Sequence, residues 1–228
     1  MNYDYYLFDL DNCLLNFQNP AEYFDNVLVE TIKSLSKALL PSRKERDKFW
    51  LSGENYVDML ETWGLNDINH FWKHFDEIDF ELRKLLLKQD ELSLYHDVID
   101  VLNRLKDAGK KIAIISNAAD YIVDYIVQKF QILDIFDDIF GLGFDKDQAI
   151  AKPSPFGILK VLKKLNFNSD KSKAIMIGDS RLDIYAAKRA NISACLIKRE
   201  LNKYTDGYNK WEYKPDFEIK HLDELFEL

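Results

Sequence analysis

Two aspartates near the start of the chain, Asp9 and Asp11, have the types and the spacing for nucleophilic and acid–base chemistry. They follow the apolar run 5–8, which predicts a buried strand, and open α/β sheets bind ligands just outside the carboxyl ends of their strands. Side chains two residues apart on an extended chain share a face, so both carboxylates can point into one pocket. Burying two such acids is costly unless a cation or a proton lies between them, which suggests a metal and a proton-transfer role together.

Further polar residues stand at the ends of other predicted elements. Ser116 and Asn117 end one apolar run, Asp179 follows another, and Lys152 lies in Ala-Lys-Pro-Ser-Pro before a helical pattern. A lone Asp-x-Asp is equally well explained by a solvated turn. An acid, a hydroxyl, a lysine and a further acid, each at the edge of an element, instead form a candidate catalytic site.

Composition bounds the class of protein. The 228 residues are 47% hydrophobic, enough for one ordinary domain and a smaller one. The formal charge of −8 argues against a nucleic-acid-binding face, which needs clustered Lys and Arg. No apolar run has the length of a membrane span, and Asp4 stands where a signal peptide would carry positive charge, so we expect a cytoplasmic protein with no membrane partner. Cys13 and Cys195 have no disulfide or zinc spacing and are expected to be core residues.

The pattern along the chain indicates two domains. Residues 17–95 are almost entirely helical in pattern, with no convincing strand, and predict an inserted helical bundle. Residues 1–16 and 96–228 predict an α/β core, because alternating helices and strands imply a parallel sheet covered by helices on both faces. After the first strand, the predicted strands of this core are 111–115, 137–141, 173–177, 193–197 and 216–219, and a C-terminal helix is expected after the last strand.

The order and spacing of the motifs resemble those of the haloacid dehalogenase-like hydrolases, in particular their phosphatase branch and its phosphoglycolate-phosphatase-like group with a helical (C1-type) cap. The resemblance covers nearly the whole chain. It rests on Asp9-x-Asp11, on Ser116-Asn117, on AKPSPFGILKVLKKL around Lys152 and on GDSRLD from residue 178. It implies an α/β fold with a doubly wound (Rossmann-like) parallel sheet and an inserted all-helical cap domain.

The chain departs from the family in the turn after its first motif. The family usually has Gly and Thr where this chain has Asn12 and Cys13. Loss of the threonine hydroxyl removes a hydrogen bond that could hold the catalytic loop. The departure therefore bears on the rate more than on the type of reaction.

The resemblance implies a phosphatase that works through an aspartyl-phosphate. Asp9 is the expected nucleophile, since a carboxylate needs no deprotonation at neutral pH. Asp11 would protonate the leaving alkoxide and then deprotonate the attacking water. Lys152 would clamp Asp9 and the transferring phosphoryl group. Ser116 and Asn117 would hold phosphoryl oxygens, although Ser116 is equally suited to cap the following helix.

The expected cofactor is Mg2+, a hard cation that prefers carboxylate oxygens. The implied ligands are Asp9, the backbone carbonyl of Asp11, and Asp179. Asp183 forms a Ser-x-x-Asp motif with Ser180, which predicts either a capping box for the next helix or support of the metal site. The expected substrate is a small phosphorylated metabolite of the phosphoglycolate, sugar-phosphate or nucleotide class. The expected assembly is a monomer or a homodimer.

The cap holds the candidate specificity residues. In similar phosphatases a glycine-containing loop of the cap contacts the part of the substrate that does not react, and Gly53 in the segment 51–56 predicts such a loop. Glu54, Asn55 and Tyr56 are then the candidate substrate contacts, and an ordinary helix connection is the alternative. The aromatic residues of the cap are explained mainly by helix packing. They are Phe49, Trp50, Tyr56, Trp63, Phe71, Trp72 and Phe75.

Other activities share some of these motifs. A phosphosugar mutase of the same superfamily uses all four and keeps the phosphoryl group from water. A 2-haloacid dehalogenase is disfavoured, since dehalogenases lack the second acid that Asp11 supplies. Phosphorylatable signalling modules of the receiver type are far shorter and have no acid placed as Asp11 is. A weakly active relative that serves in binding is a further alternative, on account of Asn12 and Cys13.

Overall fold

The computed structural model describes residues 2–50, 55–143, 147–199, 208 and 211–228. These residues form two compact units. One unit contains residues up to 16 and from 93 onward, and the other contains residues 17–92. The chain thus returns to the first unit at residue 93, where the sequence analysis placed the return at residue 96.

The first unit is built on a six-stranded parallel sheet in the order β5-β4-β1-β6-β7-β8, and β2 and β3 form a separate two-stranded sheet. The strands are β1 Tyr5–Phe8, β2 Leu15–Phe17, β3 Leu92–Leu94, β4 Lys111–Ala119, β5 Asp138–Leu142, β6 Ala174–Gly178, β7 Ser193–Ile197 and β8 Phe217–Ile219. Phe8 at the end of β1 is in register with Ile114 on one side and Ile177 on the other. The carboxyl ends of β1, β4 and β6 therefore meet at one edge in the middle of the sheet.

Helices flank the sheet of the first unit and make up most of the second. In the first unit they are α5 Val98–Asp107, α6 Asp120–Lys129, α7 Phe156–Lys164 and α8 Arg181–Arg189. In the second unit they are α1 Pro20–Leu35, α2 Arg43–Phe49, α3 Tyr56–Thr62 and α4 Ile68–Lys88. Strands of a parallel sheet need a crossover between them, which explains why helices alternate with strands from β4 onward.

The core of the first unit follows from the alternation of side chains along its strands. Leu7 and Met176 point to the face of the sheet that α7 and α8 cover, where they pack with Ile158 and Ile184 in one buried apolar cluster. Their neighbours Tyr6 and Phe8 are also fully buried. Both faces of the central strands are thus apolar, as parallel sheets require.

The second unit has a core of aromatic side chains. Phe49 lies with its ring centroid 5.7 Å from that of Trp63 and 6.1 Å from that of Phe71, and all three residues are buried. The packing explanation of the cap aromatics is therefore confirmed for these residues. The described residues of this unit also include the buried ion pairs of Arg83 with Asp79 and of Arg46 with Asp25.

Several elements differ from the sequence-based expectation. The short strands β2 and β3 were not predicted, because three residues carry too little periodicity to distinguish a strand. β4 continues past the expected residue 115 to Ala119. The expected C-terminal helix is a 3-10 helix, Leu222–Glu227. Asp11, in the loop that follows β1, also forms an isolated β-bridge with Leu15, the first residue of β2.

The remaining expectations on class concern cysteines and membrane spans. Cys13 and Cys195 are free and buried, as predicted for core residues. In the part of the chain that the structure describes, no helix combines the length and the apolar character that a bilayer crossing needs.

Candidate active site

Lys152 lies at the centre of the site and contacts the predicted nucleophile. Its ammonium Nζ donates hydrogen bonds to Asp9 Oδ1 at 2.7 Å, to Asp183 Oδ1 at 2.6 Å and to the backbone carbonyl of Ile115 at 2.8 Å. A lysine ammonium has three protons, so each has an acceptor. The side chain is only 5% exposed. Lys152 therefore has one fixed position, set by residues from three different segments.

Asp9 is placed by the sheet itself. Its backbone N–H donates to the carbonyl of Ile177 at 2.8 Å, which continues the pairing of β1 with β6 for one residue beyond the strand. Burial raises the pKa of Asp9 well above its ordinary value, the Asp183 and Asp179 carboxylates push it in the same direction, and the Lys152 ammonium opposes them. The ionised form of Asp9 thus needs more positive charge than Lys152 alone supplies.

Three buried acids converge at this edge of the sheet. Asp9, Asp179 and Asp183 each offer a carboxylate oxygen, and these oxygens lie within 4.8 Å of one another. Lys152 is the cation bonded to two of the acids, and burial disfavours its charged form, but Asp183 and Asp9 outweigh that effect and raise its pKa. Oxygen donors that carry excess negative charge are what a hard divalent cation binds. The donor set fits Mg2+.

Asp183 has two roles in the structure. Its Oδ2 accepts hydrogen bonds from the backbone N–H of Ser180 at 3.0 Å and from the Ser180 hydroxyl at 2.6 Å, so the predicted capping box of α8 is present. Its Oδ1 accepts from Lys152. Gly178 makes room for this carboxylate, because a Cβ at that position would stand 2.2 Å from Asp183 Cγ. The helix cap and the acid cluster therefore share one side chain.

Asn117 holds the backbone of Lys152. Its Nδ2 donates to the Lys152 carbonyl at 3.0 Å, and its Oδ1 accepts from the Lys152 N–H at 2.8 Å. Ser116 and Asn117 lie where the pairing of β4 with β5 shifts register, between Ile115 and Ala119. Such irregularities redirect side chains, often beside active sites. The Asn117 side chain is thus bonded to Lys152, and a phosphoryl contact through the Asn117 backbone N–H stays a prediction.

Ser116 is buried, and its hydroxyl oxygen accepts a hydrogen bond from the backbone N–H of Ala118 at 3.1 Å. This contact uses an oxygen lone pair and not the hydroxyl proton. The N-cap of α6 is Ala119, so Ser116 does not cap that helix. Its predicted role as a phosphoryl contact stays a prediction.

The loop after β1 explains the family's glycine. Asn12 has a φ of 57°, in the left-handed region where glycine is favoured and asparagine is tolerated. Cys13 Sγ donates to the carbonyl of Ile177 at 3.6 Å, a weak hydrogen bond at the position of the family's threonine. The loop backbone is closed by Leu14 and Leu15, whose N–H groups both donate to the carbonyl of Leu10. The substitutions therefore preserve a turn that this backbone requires.

The structure thus brings Asp9, Asp179, Asp183 and Lys152 together. Asp11 lies on the adjoining loop and is half-buried. Of the cap candidates, Asn55 is exposed before α3, and the Tyr56 ring packs 5.6 Å from that of Trp72. The other residues of the predicted recognition loop, 51–54, lie outside the described residues.

Two contributions to the site could not be recognised from residue types. One is the carbonyl of Ile115, which any residue type supplies. The other is Arg199, whose guanidinium bonds to the loop after β1. Arg199 lies in none of the motifs named above, so its sequence position gave no signal of this contact.

The chain matches a known family of proteins. The sequence model of one protein family, the haloacid dehalogenase-like hydrolases, matches residues 3–191 of this chain. The chain belongs to this family. It is therefore a hydrolase, as its motifs predict.

Its relatives are phosphatases by name. A phosphoglycolate phosphatase of Colwellia psychrerythraea is 29% identical over 237 residues, covering 96% of this chain and 93% of that protein. Pyrophosphatase PpaX of Listeria monocytogenes is 28% identical over 224 residues, covering 96% and 93%. Among solved structures, a HAD phosphatase of Thermococcus onnurineus is 29% identical with a TM-score of 0.63, covering 100% of this chain and 97% of that one. This likeness confirms the predicted fold class.

Proposed function

We propose that this hydrolase is a Mg2+-dependent phosphatase that cleaves small phosphorylated metabolites through an aspartyl-phosphate on Asp9. The observation that carries the proposal is the contact of Lys152 Nζ with Asp9 Oδ1, inside a buried cluster of three acids. A carboxylate fixed in this way is a nucleophile whose position does not change between turnovers. The names of the relatives support phosphate esters or anhydrides as the substrate class.

In the first step, a carboxylate oxygen of Asp9 forms a bond to phosphorus while the bond from phosphorus to the ester oxygen breaks. Asp11 gives its proton to the leaving alkoxide. In the second step, Asp11 takes a proton from water, which attacks the acyl-phosphate, releases inorganic phosphate and restores the Asp9 carboxylate. Asp11 therefore ends the cycle protonated, as it began.

Positive charge and hydrogen-bond donors must offset the phosphoryl charge in both steps. Lys152 supplies a fixed cation beside Asp9, and the Ser116 hydroxyl and the Asn117 backbone N–H are the proposed donors to phosphoryl oxygens. The Asn117 side chain acts indirectly, because it holds the backbone from which the Lys152 side chain reaches Asp9.

The residues that would hold Mg2+ are Asp9, Asp179 and the backbone carbonyl of Asp11, with Asp183 next to them. When bound, the ion supplies charge that offsets both the buried carboxylates and the phosphoryl group. The formal charge of −8 makes this need general, since an acidic protein otherwise repels an anionic substrate.

A second candidate substrate class is a phosphoric anhydride, favoured by the likeness to pyrophosphatase PpaX. The same two steps apply, with phosphate in place of an alkoxide as the leaving group. Because the better leaving group depends less on protonation by Asp11, Asp11→Asn would harm the cleavage of an anhydride less than that of an alkyl phosphate.

The test is a hydrolysis screen of phosphoglycolate, sugar phosphates, nucleotides and pyrophosphate, with Mg2+ and with chelator, for the parent and for Asp179→Asn. We expect Mg2+-dependent release of phosphate and a higher Mg2+ requirement in the variant. Absence of hydrolysis on every substrate would overturn the phosphatase proposal. A lower rate at an unchanged Mg2+ requirement would remove Asp179 from the ligand set.

Substrate recognition by Asn55 and Tyr56 is part of the proposal. Tyr56 packs against Phe49 and Trp72, so Tyr56→Phe is a better test than truncation. We expect Asn55→Ala and Tyr56→Phe to lower kcat/KM for the best substrate and to leave that for p-nitrophenyl phosphate unchanged. Equal effects on both substrates would make this segment a simple connection between helices.

A further inference from the structure

The guanidinium of Arg199 connects three segments of the first unit. Nε and Nη2 donate to the carbonyl of Cys13 at 3.3 and 3.1 Å. Nη1 and Nη2 donate to Asp97 Oδ2 and Oδ1 at 2.7 and 2.8 Å. The Asp97 carboxylate also accepts from the backbone N–H of Leu222 at 2.8 Å. The Arg199 side chain is 3% exposed, so these bonds are protected from water.

The Cys13 carbonyl belongs to the turn that carries Asp11. Other backbone groups of this turn bond within it: Asn12 N–H to the Leu15 carbonyl, and Leu14 and Leu15 N–H to the Leu10 carbonyl. The Cys13 carbonyl is turned to Arg199 instead, and Cys13 is fully buried. Among the described residues, only Arg199 donates to this carbonyl, so its loss would leave the carbonyl buried without a donor from them, a state that a short turn escapes by changing shape.

The segment before α5 completes the arrangement. Tyr95 N–H donates to the carbonyl of Leu14, and the Tyr95 ring lies 4.1 Å from the Arg199 guanidinium carbon. The carbonyls of the consecutive residues Cys13 and Leu14 are therefore both held by groups outside the turn. Two fixed carbonyls define both the position and the orientation of the turn.

We propose that Arg199 is a positioning residue for the catalytic loop, acting through the Cys13 carbonyl to hold the turn that presents Asp11. Its charge is paired with Asp97, so it acts on the geometry of the loop and not on the electric field at Asp9. The fork of the guanidinium matters, because a lysine ammonium cannot bond both Asp97 oxygens and the Cys13 carbonyl in the same plane. The part of this inference that concerns kcat rests on the proposed function.

The test compares Arg199→Ala with Arg46→Ala. Arg46 is a matched control in the other unit, since it also bonds both oxygens of one aspartate, Asp25, and one carbonyl, that of Pro41. The assay uses p-nitrophenyl phosphate at a temperature well below the Tm of either variant. Under these conditions we expect Arg199→Ala to lower kcat by about tenfold or more with little change in KM. Non-denaturing guanidinium should restore part of kcat in Arg199→Ala only. Arg199→Lys should show the same loss, reduced in size, and replaces the alanine variant if that one does not fold.

Amide hydrogen exchange gives a readout that needs no activity. We expect residues 10–15 to exchange faster in Arg199→Ala, while β6 exchanges as in the parent. A kcat within twofold of the parent, or a loss equal to that of Arg46→Ala, would overturn the inference. An inactive parent would instead refute the proposed function, and the exchange of residues 10–15 would then decide on Arg199 alone: faster exchange supports it and unchanged exchange overturns it.

Discussion

Asn117 and Lys152 are joined by two hydrogen bonds in which the side-chain amide of one meets the backbone N–H and carbonyl of the other. The bonds span 35 positions of sequence. They fix where the Lys152 side chain starts, while Asp9, Asp183 and the Ile115 carbonyl fix where it ends. A lysine with four rotatable side-chain bonds is thereby reduced to one conformation before any substrate arrives.

The first prediction concerns the two hydrogen bonds between Asn117 and Lys152. Asn117→Ala should lower kcat by about ten- to a hundredfold, because small displacements of a catalytic cation are costly, while Lys152 stays charged. Asn117→Asp retains an acceptor for the Lys152 N–H and loses the donor, so we expect an intermediate rate. Asn168→Ala, which removes a side-chain acceptor from the exposed Asp170 N–H, is the control and should leave kcat unchanged. Equal kcat in Asn117→Ala and the parent would show that these two hydrogen bonds do not position Lys152 for catalysis.

Asp9→Asn should abolish turnover and leave the fold intact. The amide is isosteric with the carboxylate but cannot form an acyl-phosphate. Burial raises the pKa of Asp9, so the ionised carboxylate lowers stability at every pH above the pKa of an unfolded aspartate. In chelator at neutral pH, the Tm of Asp9→Asn should therefore be no lower than that of the parent. Retention of more than about a hundredth of the parental kcat would exclude Asp9 as the nucleophile.

The turn residue Asn12 should tolerate glycine better than alanine. Its φ of 57° costs about 1 kcal/mol for a residue with a Cβ and no side-chain compensation. Among the described residues its amide oxygen is buried with no hydrogen-bond partner, so Asn12→Gly removes a polar group at little cost. Denaturant unfolding should give Asn12→Gly a free energy of unfolding within about 1 kcal/mol of the parent, and Asn12→Ala a lower one.

Asn166 provides the control for that comparison, since its φ is 59° at the end of α7. Asn166→Ala should cost similar stability without any change in kcat. If Asn12→Ala were as stable as the parent, the left-handed backbone at this position would not be what selects the residue.

The fourth prediction is an acid dependence of stability that arises in the second unit. Hydrogen bonds from Arg46 lower the pKa of Asp25, burial opposes them, and the charges of Arg46 and Arg43 lower it further. A depressed folded-state pKa gives stability that is complete above the unfolded value of about 4 and is lost as the pH falls through the lower folded value. Asp25→Asn should have a lower free energy of unfolding than the parent at pH 7. Between pH 4 and pH 2, that free energy should fall less in the variant than in the parent.

Urea unfolding followed from pH 7 to pH 2 measures this difference. The exposed Asp107→Asn serves as the control and should run parallel to the parent. A parent and an Asp25→Asn variant whose stabilities differ by the same amount at every pH would show that Asp25 contributes through packing and not through its charge.

The fold was predictable because its signals are local. Apolar runs such as 5–8 mark the central strands, and the polar residues after them mark the edge where ligands bind. Asp9, Lys152 and Asp179 could be located in this way, since each ends or precedes an element. β2 and β3 could not, because three residues show no period and these strands exist only through pairing across 74 intervening residues.

The side-chain contacts of the site were less predictable, because they depend on tertiary structure. Asn117 has the same type and position whether it binds phosphate or Lys152, and only the distance of the partner distinguishes the two. Arg199 bonds to a carbonyl 186 positions earlier, and a carbonyl has no residue type to recognise. Sequence patterns identify the groups that react more readily than the groups that hold them.

The register of β1 has a consequence for synthesis. Both partners of this first strand come late: β4 begins at Lys111 and β6 at Ala174. At about 5–20 residues per second, a ribosome needs roughly 10–30 s to pass from β1 to the end of β6. Until β4 is made, the segment bearing Asp9 has no strand to join, and until β6 is made it has one of its two partners, while residues 17–92 already have a core of their own. The nascent chain must therefore keep this apolar stretch from aggregating, and a slow translation step before residue 174 would lengthen the time for which β1 lacks its second partner.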